Sequence, residues 1–393
     1  RRGDAAHAVH HLRIATAAPA SAVEAWHYLA LAHARLRQWE DSRRAIAQAM
    51  VRAPRDPALR LGAANIEQDA GDRDAAVARL HEALALRPDF AEAHNNLGIL
   101  LAERGDLDAA RAHFESAMRS RPAYARALAN LASVLIKLHR VDEAVPFASE
   151  AIAAEANNAH AWLTRGHAHL LREALPAAES DLTQALRLHP ALAEAGLLLG
   201  QILHRQKRFD EGAEMARALA NRLPGHPEVL TMFGDMLAAQ DDLVGARAAW
   251  QAVLAIEPAH LTCRARIALA LPGVQDSLDA LLASRRAYES GVAALAEQLA
   301  ADPGPPAIEA LQSALKPPFF LAYQGLDDRD LQRRYAQLIE GALGRAAPAF
   351  YQPMPRRART AGRLRIGFYC RYLHTSTVGN YFSSWITGLD RTR

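Results

Sequence analysis

Along most of the chain, apolar residues recur every three or four positions, which is the spacing of amphipathic helices. Short polar turns interrupt this pattern at regular intervals. Six prolines mark these intervals: Pro54, Pro88, Pro122, Pro190, Pro224 and Pro258. Their successive spacings are 34, 34, 68, 34 and 34 residues, and Ala156 stands at the skipped position. A fixed period of this length is typical of arrays of helical repeats.

Seven full repeats result when each proline is placed third from the end of its unit: 23–56, 57–90, 91–124, 125–158, 159–192, 193–226 and 227–260. The eighth position is always small: Ala30, Ala64, Gly98, Ala132, Gly166, Gly200 and Gly234. So is the twentieth: Ser42, Ala76, Ala110, Ala144, Ala178, Gly212 and Ala246. Small residues allow two helices to cross closely, so each unit is predicted to be a hairpin of two helices. Gly71-Asp72 and Gly105-Asp106 are predicted to form the turn inside the hairpin, with Asp as the cap of the second helix.

Repeat three, HNNLGILLAERGDLDAARAHFESAMRSRP, resembles the tetratricopeptide repeat (TPR), since it has that family's Leu-Gly pair, its Ala-x-x-x-Phe pair and its closing Pro, with His94 where Trp is usual. The resemblance covers residues 23–260. It implies an all-α, right-handed superhelix (an α-solenoid) in which the first helix of each unit lines the concave side.

Neither end of the sequence is a full repeat. Residues 1–22 fit the second half of an eighth repeat, with Gly3-Asp4 at the turn, which indicates a fragment of a longer protein. Residues 261–344 are predicted to be a helical cap or docking region, in which Asp327 or Asp328 caps a last helix. Residues 345–362 are Pro- and Arg-rich and are predicted to be a linker.

Asparagines occur at or near the concave positions of repeats two to four. Asn96 and Asn130 are in register one repeat apart, and Asn65 and Asn95 lie close by. Because an Asn side chain can hydrogen-bond the backbone of an extended peptide whatever its sequence, these four residues are candidates for a peptide-binding groove. The alternative is that they are ordinary solvated groove residues.

One binding alternative is the clamp of Lys, Asn and Arg with which co-chaperone TPR domains hold a C-terminal carboxylate. Over repeats two to four this chain offers Leu61, Asn65, Asn96, Arg126 and Asn130. Arg126 is a like-charged substitute, but Leu61 and Asn130 remove two cations, and the carboxylate loses most of its charge-assisted hydrogen bonds. A clamp therefore ranks behind a backbone-binding groove.

Composition narrows the remaining options. The 46 basic and 43 acidic residues are interspersed, so no nucleic-acid partner is predicted. The chain has two cysteines, which excludes a disulfide framework and a cysteine-based zinc site, and no metal site is expected. No apolar run approaches the length that spans a bilayer, so no membrane partner is predicted. Few cysteines and no export signal indicate a cytoplasmic protein.

The last stretch, LRIGFYCRYLHTSTVGNYFSSWITGLDRTR, has a different pattern. Leu364, Ile366 and Phe368 predict a strand, 374–379 a turn and 380–389 a helix, in the order that opens a Rossmann-like α/β domain. Together with the upstream PFFLAYQGLDDRDLQ, this stretch resembles the SPINDLY-type, O-linked N-acetylglucosamine transferase-like glycosyltransferases. Residues 363–393 would then be the start of a truncated, GT-B type catalytic domain.

This resemblance implies a parent enzyme that takes a UDP-sugar as donor and transfers the sugar to Ser or Thr hydroxyls of proteins held by the solenoid. The family has a His before the first helix of its catalytic domain. Ungapped alignment places Ser376 there, and His374 is the nearest histidine. The fragment itself is expected to need no cofactor and to be inactive. The competing hypothesis is a non-enzymatic scaffold that binds peptides or partner proteins.

Overall fold

The computed structural model describes residues 2–17, 22–301, 321 and 324–348. These residues form 18 α-helices and no strand. They are α1 (Arg2–Thr16), α2 (Val23–Arg35), α3 (Trp39–Arg52), α4 (Pro57–Ala70), α5 (Arg73–Leu86), α6 (Ala91–Arg104), α7 (Leu107–Ser120), α8 (Ala125–Lys137), α9 (Val141–Ala154), α10 (Ala159–Leu171), α11 (Leu175–Leu188), α12 (Ala193–Arg205), α13 (Phe209–Arg222), α14 (Pro227–Ala239), α15 (Leu243–Ile256), α16 (Leu261–Leu269), α17 (Leu278–Ala301) and α18 (Arg329–Ala346).

Helices α2 to α15 form seven hairpins, one in each predicted 34-residue unit. The two helices of a hairpin pack on each other, and the second helix also packs on the first helix of the next hairpin. All residues at the eighth and twentieth positions are buried, as the sequence predicted. In repeats five and seven, where the eighth position is glycine, a side chain there would collide with the second helix, because a Cβ on Gly166 would lie 2.9 Å from Leu182 and one on Gly234 would lie 2.5 Å from Trp250.

Each hairpin reverses direction through one residue with positive φ at its fifteenth position. Gly71 and Gly105 have φ of 87° and 88°. In the other five repeats the same place is taken by a residue with a side chain: Arg37, His139, Glu173, Lys207 and Asp241, with φ from 58° to 66°. The turn is therefore a property of the repeat, although glycine marks it in two repeats only.

The predicted caps after the two glycines differ. Asp72 accepts a hydrogen bond from the backbone N–H of Ala75 at 3.0 Å and so caps α5. Asp106 makes no side-chain cap bond to α7, so the prediction was wrong there. A second periodic contact joins neighbouring hairpins: Arg172 pairs with Asp142 at 3.1 Å, and Arg104 pairs with Asp74 at the equivalent positions.

Beyond the seventh hairpin the helices change length and arrangement. Helix α17 packs against α16 and α18 around a core that contains Tyr288, Leu295 and Leu321. Leu278, the first residue of α17, is 64% exposed. At the start of α18, Asp327 accepts a hydrogen bond from the Arg329 N–H at 3.0 Å.

Helix α18 continues to Ala346, two residues past the predicted end of the helical cap. Most of the predicted linker and the whole predicted strand, turn and helix of 363–393 lie outside the described residues. Within the described ranges, no helix combines the length and apolar character that crossing a bilayer requires.

Candidate peptide-binding groove

The four candidate asparagines lie on three neighbouring helices. Asn65 is on α4, Asn95 and Asn96 are on α6, and Asn130 is on α8, each helix being the first of its hairpin. The packing of α6 against the hairpins on either side brings these helices into one layer. The repeat period therefore places the amides along a single surface.

The four amides form one continuous chain of hydrogen bonds. Asn130 Nδ2 donates to Asn95 Oδ1 at 2.9 Å, and Asn95 Nδ2 donates to Asn96 Oδ1 at 3.3 Å. Asn96 Nδ2 then donates to Asn65 Oδ1 at 2.9 Å. The chain therefore crosses two repeat interfaces and fixes the rotamers of its members relative to one another.

The four asparagine side chains differ in burial, and therefore in their capacity to form hydrogen bonds with a ligand. Asn95 is buried with 3% exposure, so its main role is to support Asn96 and Asn130. Asn96 and Asn130 are half-buried and Asn65 is exposed. An amide offers two donor hydrogens and two acceptor positions, so these three residues keep free capacity on their solvent side. The arrangement is a row of pre-oriented amide groups.

Arg126 adds a positive charge next to this row. It lies on α8 one turn before Asn130, a spacing that places two side chains on the same helix face. It is exposed and makes no ion pair with a carboxylate among the described residues. Glu92, at the equivalent position of the preceding repeat, is paired with Arg121 at 2.5 Å, so its charge is balanced locally.

The amides and the leucine at the carboxylate-clamp positions make contacts within the array. Asn65 and Asn96 are hydrogen-bonded to each other, and Asn130 is bonded to Asn95, so the amides at the clamp positions keep only their solvent-side donors and acceptors for a ligand. Leu61 is half-buried and packs with the apolar core around Leu80. Arg126 is left as the one cation among these five clamp positions.

An aromatic pair at the start of the array was not singled out by the sequence. The rings of His27 and Tyr28 are stacked, with centroids 6.1 Å apart, and Tyr28 is 60% exposed. Both lie on α2, and His27 fills the space beside Gly62 on α4, where a Cβ would be 3.0 Å from its Nε2 atom. Burial lowers the pKa of His27, with Asp56 acting in the opposite direction. An exposed aromatic on a first helix is the signal that could have found this pair.

Two partly buried polar pairs connect the two helices of their hairpins. In repeat five, Arg165 forms a bidentate ion pair with the buried Asp181, at 2.7 and 2.8 Å, and its guanidinium lies over the Trp162 ring. In repeat three, the Nδ1 atoms of His94 and His113 are 2.9 Å apart. Both pairs connect the two helices of one hairpin, so they contribute to the scaffold beside the groove.

Two predicted site residues, His374 and Ser376, lie outside the described residues. Across the described ranges, no three His, Cys, Asp or Glu side chains are grouped so that they could hold a metal ion.

Stacked two-helix units with a polar groove across their first helices define a helical-repeat protein. Over residues 61–227 the repeats match the tetratricopeptide repeat: one model with the description "Tetratricopeptide repeat" matches residues 61–125 and 163–227, and a second model with the same description matches 101–167. A search of curated proteins found no match.

Solved structures give the same fold. A chain of the APC/C hetero-tetramer Cut9-Hcn1 is 14% identical, with a TM-score of 0.52 over 68% of this chain and 49% of that one. TTC0263, a TPR protein of Thermus thermophilus, is 24% identical over 45% of this chain and 96% of its own, with a TM-score of 0.38. YrrB, described as a TPR protein with an unusual peptide-binding site, is 21% identical over 47% and 95%, with a TM-score of 0.37.

Proposed function

We propose that this TPR array binds an extended segment of a partner polypeptide along α4, α6 and α8, and that the amide chain contacts the backbone of that segment. Tetratricopeptide repeats are protein-interaction repeats. The observation that carries the finer proposal is the unbroken hydrogen-bonded chain from Asn130 to Asn65. Amides held in fixed orientation lose little side-chain entropy when a ligand binds.

The geometry suits an extended backbone. Neighbouring first helices lie on the order of 10 Å apart, and an extended chain advances about 3.3 Å per residue, so one repeat corresponds to roughly three residues of ligand. Asn96 and Asn130 would then contact backbone groups three residues apart. Because amides donate and accept, they can bond a peptide N–H or C=O, and the contact does not depend on the ligand side chains. Arg126 would favour a carboxylate at one end of the segment.

The test is a selection followed by a matched comparison. A phage-displayed library of 12-residue peptides is selected on the purified chain, and a selected peptide is labelled for fluorescence anisotropy. Asn96→Ala/Asn130→Ala should weaken its binding at least tenfold, since two amide contacts are lost. Asn221→Ala, on the exposed side of α13, should leave the affinity unchanged. Circular dichroism confirms that each variant is folded.

Undiminished affinity in the double asparagine variant would contradict this proposal. Arg126→Ala separates the backbone contact from the charge contact. It should weaken acidic peptides and leave uncharged ones unaffected. Loss of all binding in this single variant would instead indicate a carboxylate clamp.

For the parent protein, we propose an O-linked N-acetylglucosamine transferase-like enzyme that uses a UDP-sugar and acts on Ser or Thr hydroxyls. Its support is the sequence resemblance of residues 363–393 and of the aromatic-rich segment before them. His374, or Ser376 at the family position of a histidine, would lie in the first turn of the catalytic domain. A cytoplasmic location belongs to the same proposal. A scaffold without enzymatic activity is the alternative.

The source gene distinguishes these two. If the reading frame continues after Arg393 into two α/β lobes, the full gene product should release UDP from UDP-N-acetylglucosamine in the presence of an acceptor protein. His374→Ala should lower that rate if this histidine lies in the donor cleft. A stop codon directly after Arg393, or a full product without turnover of any UDP-sugar, would favour the scaffold.

A further inference from the structure

The array has a second groove, on the side formed by its second helices, between α11 and α13. It encloses a cavity of about 340 Å³. Leu186, Met215 and Leu219 form its floor, and Arg187 and Arg222 line it from the two helices. A volume of this size lies at the lower end of the range for ligand pockets. An adjoining cavity of about 530 Å³ shares Thr183 and Arg187, so the groove continues along α11.

The two arginines have no carboxylate partner among the described residues. Arg187 donates to the side-chain oxygen of Gln184 at 2.9 Å, and Arg222 donates to the backbone carbonyl of Ala218 at 2.8 Å. Both are exposed. Residues 182–190 and 215–222 contain no Asp or Glu. The groove therefore combines an apolar floor with uncompensated positive charge.

Neighbouring parts of the surface formed by the second helices carry carboxylates. On α9, Glu150 takes the repeat position that Ala218 has on α13, so a carboxylate replaces a small residue there. Glu179, which lines the adjoining cavity, is paired with Arg208 at 2.7 Å and its charge is balanced. A carboxylate is therefore present at both of these neighbouring places, whereas the lining of the α11–α13 groove contains none.

The floor has an unusual support. A Cβ on Gly196 of α12 would lie 2.3 Å from Cδ2 of Leu219. The absence of a side chain at this position therefore leaves room for Leu219 to pack against α12 at the bottom of the groove. Leu219 is only 3% exposed. Met215, a flexible and polarisable side chain, lies beside it and can adapt to an inserted apolar group.

We infer that this groove binds an acidic amphipathic helix of a partner protein. The lining residues on each helix are spaced by three, four and seven positions, as on any helix face, and a third helix packs into the groove between two such faces. Apolar residues of the ligand contact Leu186, Met215 and Leu219, and its flanking carboxylates pair with Arg187 and Arg222. The site is separate from the asparagine groove, and it does not rest on the function proposed for that groove.

The test uses three labelled 18-residue peptides with blocked ends: a Glu/Leu/Ala peptide with leucines on one helix face, a scramble of the same composition, and the first peptide with Lys for Glu. Fluorescence anisotropy should show binding of the first peptide at least tenfold tighter than of the other two. Raising the salt from 50 to 200 mM should weaken it, because the contacts are partly ionic.

Variants locate the site. Arg187→Glu/Arg222→Glu should weaken the acidic peptide at least tenfold. The matched control is Arg52→Glu/Arg119→Glu, which changes exposed arginines at the same two repeat positions elsewhere in the array and should change affinity less than twofold. Gly196→Ala, which pushes Leu219 into the cavity, should weaken binding at least fivefold without changing charge.

Equal binding of the scramble, or full affinity in Arg187→Glu/Arg222→Glu, would overturn the inference. Sedimentation velocity tests whether a second copy of this chain, instead of a partner helix, fills the groove. Self-association that the same double variant abolishes would show that it does. Asn96→Ala/Asn130→Ala should bind the acidic helix normally, so failure of one proposed site is distinguishable from failure of the other.

Discussion

Gly98 and Phe114 are so close that a methyl group on Gly98 would lie 2.7 Å from Cε1 of the aromatic ring. The ring is 1% exposed and belongs to the core around Leu131, so it has little room to move. This contact fixes the distance between the two helices of repeat three. The small eighth position is therefore a packing requirement of the hairpin.

The Gly98→Ala substitution should lower the free energy of unfolding by about 1–2 kcal/mol, because the overpacking cost exceeds the gain in helix propensity of roughly 1 kcal/mol. Gly341→Ala is the matched control. It lies in α18 with nothing within 4 Å of the added Cβ, so it should raise stability by about 0.5–1 kcal/mol. Urea unfolding followed by circular dichroism measures both. A stabilising Gly98→Ala would show that Phe114 can move aside.

The ion pair of repeat five predicts an unequal response of its two members. Arg165→Leu leaves the Asp181 carboxylate, whose side chain is 6% exposed, without its main partner, and should cost on the order of 3 kcal/mol. Asp181→Leu should cost less, because the arginine is 22% exposed and can still be hydrated.

The double variant Arg165→Leu/Asp181→Leu tests whether the pair acts as a unit. Two apolar residues of suitable size can replace a buried ion pair at little cost, so the double variant should be more stable than Arg165→Leu alone. Additive losses in urea unfolding would show that the two residues are not energetically coupled.

The turn residues predict a stabilising substitution. Lys207 has φ of 59°, a conformation that costs a residue with a side chain about 1 kcal/mol relative to glycine. Lys207→Gly should therefore raise the midpoint of thermal unfolding, by an amount that corresponds to roughly 0.5–1 kcal/mol. Gly71→Ala makes the reverse change at the same repeat position and should lower it. Equal midpoints for all three proteins would rule out strain at this turn.

The His94–His113 pair predicts a dependence of stability on pH. Burial lowers the pKa of His113, and the neighbouring His94 and His81 lower it further. The unfolded chain, in which His has a pKa near 6.5, therefore binds more protons than the folded chain as the pH falls through that value. The contribution of His113 to stability is present above about pH 6.5 and is lost at lower pH.

Urea unfolding at pH 7.5 and 5.5 checks this dependence. The unmodified protein should lose stability on acidification, and His113→Gln should lose less. His189→Gln, an exposed control on another helix pair, should behave like the unmodified protein. An unchanged loss in the His113 variant would show that other histidines carry the effect.

Sequence alone predicted the hairpins because two signals coincide there: a proline near the end of six of the seven units, and small residues where helices cross. It found the reversal at Gly71 and Gly105 but not at Arg37 or Lys207, since nothing in those residue types indicates a positive φ. Register also predicted that Asn96 and Asn130 would be neighbours. It could not predict that Asn95 links them, because rotamers depend on packing in three dimensions.

The Arg165–Asp181 pair was missed for a different reason. Both residues occupy positions where other repeats carry apolar residues, such as Leu131 and Phe147 in repeat four. Two opposite charges at two core positions of the same hairpin are a usable signal of a buried ion pair. The α11–α13 groove has no such signal, because it depends on an absent side chain at Gly196 and on absent carboxylates nearby.

The positive-φ turns provide regularly spaced, exposed positions along the array. All seven turn residues are exposed, and they stand one per repeat, on the order of 10 Å from the next. Pairs of cysteines placed at two of these turns, with the buried Cys263 left in place and Cys370 replaced, would carry two spectroscopic labels a known number of repeats apart. Distances between such labels would report how far the solenoid stretches or winds when a polypeptide fills one of its grooves.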